Sequence, residues 1–169
     1  FRRVLFRSRG ISDKAKIWAF EPNPESYRCT QITMMLNDIQ NVELLNAGLG
    51  DTPSIISLTT KDKKGTSLGG SSTIADQDKE AGTTEQIDIL TIDGSVPKDR
   101  NISILQLDIE GFEKQALMGA LETIKRCKPI IILEDDHGFT KSGWFKDNIL
   151  SLNYKMDKKL HYNQVILPI

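Results

Sequence analysis

Ile104-Leu105-Gln106-Leu107-Asp108-Ile109-Glu110-Gly111-Phe112-Glu113 decides the fold. A short apolar strand runs into two acids and a glycine, and a helical pattern follows. Open α/β sheets present carboxylates in this way at the carboxyl end of a strand, where such folds bind their ligands. A second stretch, Ile17-Trp18-Ala19-Phe20-Glu21-Pro22-Asn23-Pro24, repeats the order of strand, acid and helix start. Two strand-end acids in one small α/β chain point to a nucleoside-type ligand.

Outward from the first stretch, the second half reads as a βαβ unit. Residues 102–108 form its first strand. Phe112, Ala116, Leu117, Ala120, Leu121 and Ile124 then mark one face of a helix that Pro129 stops. Residues 130–133 form the next strand, ending in Glu134, Asp135 and Asp136. Near-continuous Ile and Leu runs predict parallel strands covered on both faces. Residues 144–152 suggest one more helix. Residues 155–160 and 164–167 suggest a terminal antiparallel hairpin turning at His161-Tyr162-Asn163.

The first half begins with a strand over residues 16–20. Asn23 is placed to cap the next helix, with Pro24 at the first helical position, where a missing N–H costs nothing. That helix should reach about Leu36, with Tyr27, Cys29, Ile32, Met35, Leu36 and Ile39 as its apolar stripe. Strands are expected over residues 42–46, 55–58 and 87–92. Residues 61–85 are rich in Gly, Ser, Thr, Lys and Asp, and a loop of this length fits a lid and a disordered segment equally.

The chain has 169 residues, enough for one ordinary core. A net charge of −1 gives no reason to expect nucleic acid or an acidic membrane as partner. Nor does any apolar run approach the roughly 20 residues that span a bilayer. Cys29 and Cys127 lie far apart and read as buried thiols of a reducing compartment, which places the protein in the cytoplasm. Residues 1–10 carry Arg2, Arg3, Arg7 and Arg9 and no acid, and read as a non-native or disordered leader. Residues 11–169 are then a single domain.

The chemistry rests on few groups. Glu21 suits a carboxylate that accepts both ribose hydroxyls of a nucleoside, which in Rossmann-type units lies about 20 residues beyond a glycine-rich loop. Counting back lands near residue 1, so that loop and its strand are expected upstream, and the chain is read as N-terminally truncated. Gly48-Leu49-Gly50 is no substitute, because Asp51-Thr52-Pro53 and a strand follow it in place of a helix. Asp108 precedes its helix and should point into the ligand crevice. Glu113 reads as an acid that favours a helix N-terminus by about 0.3–1 kcal/mol. Magnesium is an alternative ligand for Asp108, Glu110 and Glu134. His137 follows the acid cluster and suits a general base near neutral pH.

Four blocks in order carry a resemblance: Ala19-Phe20-Glu21-Pro22-Asn23-Pro24, Asn46-Ala47-Gly48-Leu49-Gly50-Asp51, residues 107–113 as quoted above, and Pro129-Ile130-Ile131-Ile132-Leu133-Glu134. Together they resemble the FkbM-type methyltransferases, from about Lys16 to the C-terminus. The resemblance implies a Rossmann-like class I methyltransferase sheet, mainly parallel with an antiparallel C-terminal hairpin. It implies S-adenosylmethionine as cofactor and O-methylation of a hydroxyl on a sugar or secondary metabolite. Glu21 would hold the cofactor ribose, and Asn23 would lie beside the adenine. The turn from Asn46 to Asp51 would border the adenine, while Asp108 would face the methionine end and the incoming hydroxyl. Asp108, Glu110 and His137 are the candidate bases, and no metal is called for. The family's glycine-rich segment is missing, so cofactor binding by this chain alone is expected to be weak.

Two other readings stand beside it. One is a non-catalytic Rossmann-like binding module that has lost its cofactor. The other is a magnesium-dependent phosphoryl-transfer enzyme using Asp108, Glu110 and Glu134.

Overall fold

Alternation of strand and helix patterns along the chain is realised in an α/β structure with mixed sheets. A computed structural model describes residues 15–69, 72–74, 82–109, 111–135 and 138–169. The leader, Glu110, Asp136 and His137 lie outside the described residues. The chain divides into two compact units, Phe1–Gly48 with Pro53–Leu90, and Leu49–Thr52 with Thr91–Ile169. Each is described by itself.

In the first unit, β1 (Ile17–Phe20) leads into α1 (Pro24–Leu36) and β2 (Val42–Leu45). β1 and β2 are parallel, with Ile17 opposite Val42 and Phe20 opposite Leu45. Asn23 caps α1 as its sequence position suggests: its Oδ1 accepts the Glu25 N–H at 2.9 Å and the Ser26 N–H at 3.0 Å. Such a cap contributes about 1 kcal/mol.

The apolar stripe of α1 is not where the spacing puts it. No residue of the helix is buried, and Met35 and Leu36 are each 81% exposed. Met34 and Ile39 pack instead, with Ile17 and Leu44, against Ala19 and Val42. Among the described residues it is the β1-β2 pair that packs on α1, and it covers a narrow face of the helix. Both cysteines are free thiols, and neither is buried as expected: Cys29 is exposed and Cys127 half-buried.

β3 (Gly48–Leu49), β4 (Ser54–Thr59), β5 (Thr73–Ile74) and β6 (Thr84–Leu90) follow. They form a sheet in the order β3-β6-β4-β5, with β4 antiparallel to both β5 and β6. β3 and β5, two residues each, are too short to leave a periodic signal. Part of the polar segment after β4 is built: the Asp62 carboxylate accepts the Lys64 and Thr66 N–H groups at 2.8 Å each. The Leu68 N–H then returns to the Thr60 carbonyl at 2.8 Å.

The second unit opens with a single helical turn, α2 (Ile92–Ser95), and continues through β7 (Ile104–Leu107). α3 (Glu113–Met118), α4 (Leu121–Cys127) and β8 (Ile130–Glu134) come next. α5 (Gly143–Asn148), β9 (Tyr154–Leu160) and β10 (Asn163–Pro168) complete the unit. β7 and β8 are parallel, while β10 is antiparallel to both β8 and β9. The sheet order is β7-β8-β10-β9. Leu107, Leu117, Ile124, Ile131, Leu133, Phe145, Ile149 and Ile166 are almost fully buried, each worth about 1.5–3 kcal/mol of apolar burial.

Two expectations fail here. The single helix across residues 112–124 is broken at Gly119-Ala120. A Cβ on Gly119 would lie 2.0 Å from the Gly50 carbonyl oxygen, so the chain needs glycine at this approach, and the helix ends on it. Asp93 restarts the chain as α4, its carboxylate accepting the Glu122 and Thr123 N–H groups at 3.0 and 2.8 Å. The strands are also not covered on both faces. Ile104 is 49% and Ile130 36% exposed, because the buried side chains of β7 and β8 alternate. Among the described residues no helix is long and apolar enough to cross a membrane.

Candidate functional site

The turn that leaves β1 gathers three of the residues singled out from the sequence. Glu21 follows the last strand residue and is 6% exposed. Its backbone N–H donates to the Leu45 carbonyl, which anchors it at the strand end. One carboxylate oxygen accepts the Asn23 backbone N–H at 2.9 Å. The other takes no hydrogen bond from the described residues. Burial pushes the Glu21 carboxyl above its ordinary pKa, and the Asn23 N–H offsets part of that rise. A half-satisfied buried carboxylate can accept hydroxyl donors, and accepting them favours its charged form.

Asn23 is 1% exposed, and its side chain is fully engaged in local structure. Its oxygen caps α1, and its Nδ2 donates to the Ser72 hydroxyl at 2.9 Å. Asn46, at the end of β2, donates to the Glu21 carbonyl at 2.8 Å and to the Pro22 carbonyl at 3.2 Å. It thereby fixes the turn from outside. Glu21, Asn23 and Asn46 thus form one hydrogen-bonded constellation in the first unit.

Asp51 and Asp108 belong to the second unit, and both are exposed. Asp108 directly follows β7, as its sequence position suggests. Gly111 then takes φ +90°, a conformation that favours glycine. The Glu113 carboxylate turns back to accept the Gly111 N–H at 3.1 Å and is only 9% exposed. Glu113 is therefore more than an acid at a helix end. It fastens the turn behind Asp108. Glu110 and His137 lie outside the described residues.

Among the described residues, the acid that follows β8 is also committed. Asp135 is buried and accepts the Thr140 hydroxyl, with the Thr140 N–H at 3.4 Å. This shapes the 3-10 turn Phe139–Lys141 that precedes α5. Among the described residues no group of three His, Cys, Asp or Glu side chains is arranged to hold a metal ion.

Ser72 and Asp93 carry no sequence signal for these roles. Each is a common polar residue whose partner lies far along the chain, 49 positions away for Ser72 and 29 and 30 for Asp93.

The fold is similar to a solved α/β protein, the methyltransferase FkbM from Methylobacillus flagellatus KT. The TM-score is 0.63 at 20% identity, covering 90% of this chain and 36% of that one. This chain thus spans little more than a third of that protein's length. No curated protein matches it. The methyltransferase FkbM domain matches residues 4–163. The chain belongs to the FkbM methyltransferase family.

Proposed function

We propose that the protein is an S-adenosylmethionine-dependent O-methyltransferase of the cytoplasm, acting on a hydroxyl of a sugar or secondary metabolite through a Rossmann-like class I sheet. The observation that carries the reading is Glu21: a buried strand-end carboxylate with one oxygen held by backbone and the other taking no hydrogen bond from the described residues. Family membership supports the methyl-transfer chemistry, and the free thiols suit a reducing compartment.

In this reading Glu21 accepts the cofactor's ribose hydroxyls. The Asn23 backbone N–H holds that carboxylate in orientation, and Asn46 keeps the turn closed. Asp51 borders the adenine. Bound S-adenosylmethionine supplies an electrophilic methyl group. Asp108 orients the acceptor hydroxyl and takes its proton, with Glu110 and His137 as the other candidate bases. The contribution of Asp108 would be to hold the acceptor hydroxyl in a reactive orientation, which would supply much of the acceleration.

The test is methyl transfer to a panel of sugar and polyol acceptors by the full-length protein and by Asp108→Asn. This variant keeps the shape and removes the charge. Turnover should fall by about 10²–10⁴-fold, with thermal melting unchanged. A variant that melts and turns over like the parent would remove Asp108 from the chemistry.

A further inference from the structure

Gly69 and Ser72, in the polar segment after β4, are tied to the Glu21 turn by a chain of hydrogen bonds. The Ser72 hydroxyl accepts from Asn23 Nδ2 at 2.9 Å and donates to the Gly69 carbonyl at 2.7 Å. The Ser72 N–H reaches the same carbonyl at 3.2 Å. Gly69 is at φ +52°, and a Cβ there would lie 3.7 Å from the Ser26 hydroxyl oxygen, so the segment rests on the first turn of α1. Asn23 joins this contact to the carboxylate, since its backbone N–H is the donor to Glu21. Ser72, Asn23 and Glu21 are thus linked in series through bonds of 2.9 Å each.

Nothing about α1 alone requires the Ser72 bond. The helix cap is complete through the Asn23 oxygen, and the amide nitrogen is left to face outward from the helix. What that nitrogen holds is the polar segment. Losing it leaves Asn23 nearly buried with an unpaired donor, and the orientation of the Asn23 peptide then rests on the cap alone.

We propose that Ser72 is a positioning residue for the nucleoside end of the site. Its hydroxyl latches Ser72 and the Gly69 carbonyl onto Asn23 and, through Asn23, sets the Glu21 carboxylate, so that this contact and the reading of the ribose hydroxyls are coupled. This rests on the assignment of Glu21 to ribose made above.

The test titrates adenosine and 2′,3′-dideoxyadenosine into the full-length protein, Ser72→Ala and Ser72→Thr, each with and without Glu21→Gln. The parent should prefer adenosine. Ser72→Ala should shrink that preference by about 3- to 10-fold, the size of one neutral hydrogen bond, and Ser72→Thr should restore it. In the Glu21→Gln background Ser72→Ala should change the preference no further. Equal weakening of both nucleosides by Ser72→Ala would mean a merely structural contact and would overturn the proposal. A parent that does not prefer adenosine would instead refute the ribose assignment. Hydrogen exchange without ligand then decides the latch. Faster exchange at the Leu68 amide in Ser72→Ala, reversed in Ser72→Thr, supports it. Unchanged exchange refutes it.

Discussion

Removing the Glu113 carboxylate separates a helix-end charge from a fastened turn. An acid that merely favours a helix N-terminus contributes about 0.3–1 kcal/mol. Glu113 is 9% exposed and accepts the Gly111 N–H at 3.1 Å, across a turn whose glycine sits at φ +90°. A hydrogen bond to a charged acceptor contributes about 1.5–3 kcal/mol. Phe112, the residue before α3, offers no side-chain cap that would replace it. Glu113→Ala should therefore cost about 2–3 kcal/mol, which lowers melting by roughly 4–12 °C in a chain of this size. Glu113→Gln keeps an acceptor for Gly111 and loses the charge, so it should cost about half as much. Urea denaturation of the two variants and the parent gives both numbers. A Glu113→Ala cost below about 1 kcal/mol, equal to that of Glu113→Gln, would refute the reasoning and return Glu113 to a macrodipole role.

Gly119→Ala should be as damaging, at about 2–4 kcal/mol. Its Cβ would meet the Gly50 carbonyl at 2.0 Å, and the shift would strain the bond from the Asp93 N–H to the Gly119 carbonyl. Gly143→Ala, with nothing within 4 Å of its Cβ, should be neutral or stabilising in the same thermal melts. Parity between the two variants would contradict the close approach. Glu21→Gln tests burial of the carboxyl by pH. Because the folded-state pKa is raised, the parent's Glu21 contribution is fully present below the ordinary glutamate value of about 4.3 and is lost as pH rises through the raised one. The Gln variant should therefore gain stability over the parent from pH 4 to 7, and a constant difference in melting would argue against the shift.

The strand-acid-helix order was legible because it is local. A strand end, a cap and a proline at the first helical position lie within eight residues, and Glu21, Asn23 and α1 fall where that order puts them. The βαβ frame and the C-terminal hairpin were legible for the same reason. The covered face of α1 was not, because Met34 and Met35 are chemically alike and only the position of β1 and β2 chooses between them. The break at Gly119 depends on Gly50, far away in sequence. The bond from Gly111 to Glu113 was not legible, because nothing in the neighbouring residues shows that the side chain turns back. Ser72 lay hidden in a polar segment whose composition fits a lid and a disordered segment equally.

The most direct measurement is calorimetric titration of S-adenosylmethionine into the full-length protein, Glu21→Ala and Glu113→Ala. If Glu21 accepts the ribose hydroxyls, its removal should weaken binding by at least about tenfold, one charged hydrogen bond or more, while Glu113→Ala stays within a few-fold of the parent. Equal affinities for the parent and Glu21→Ala would contradict the account, whatever the absolute value.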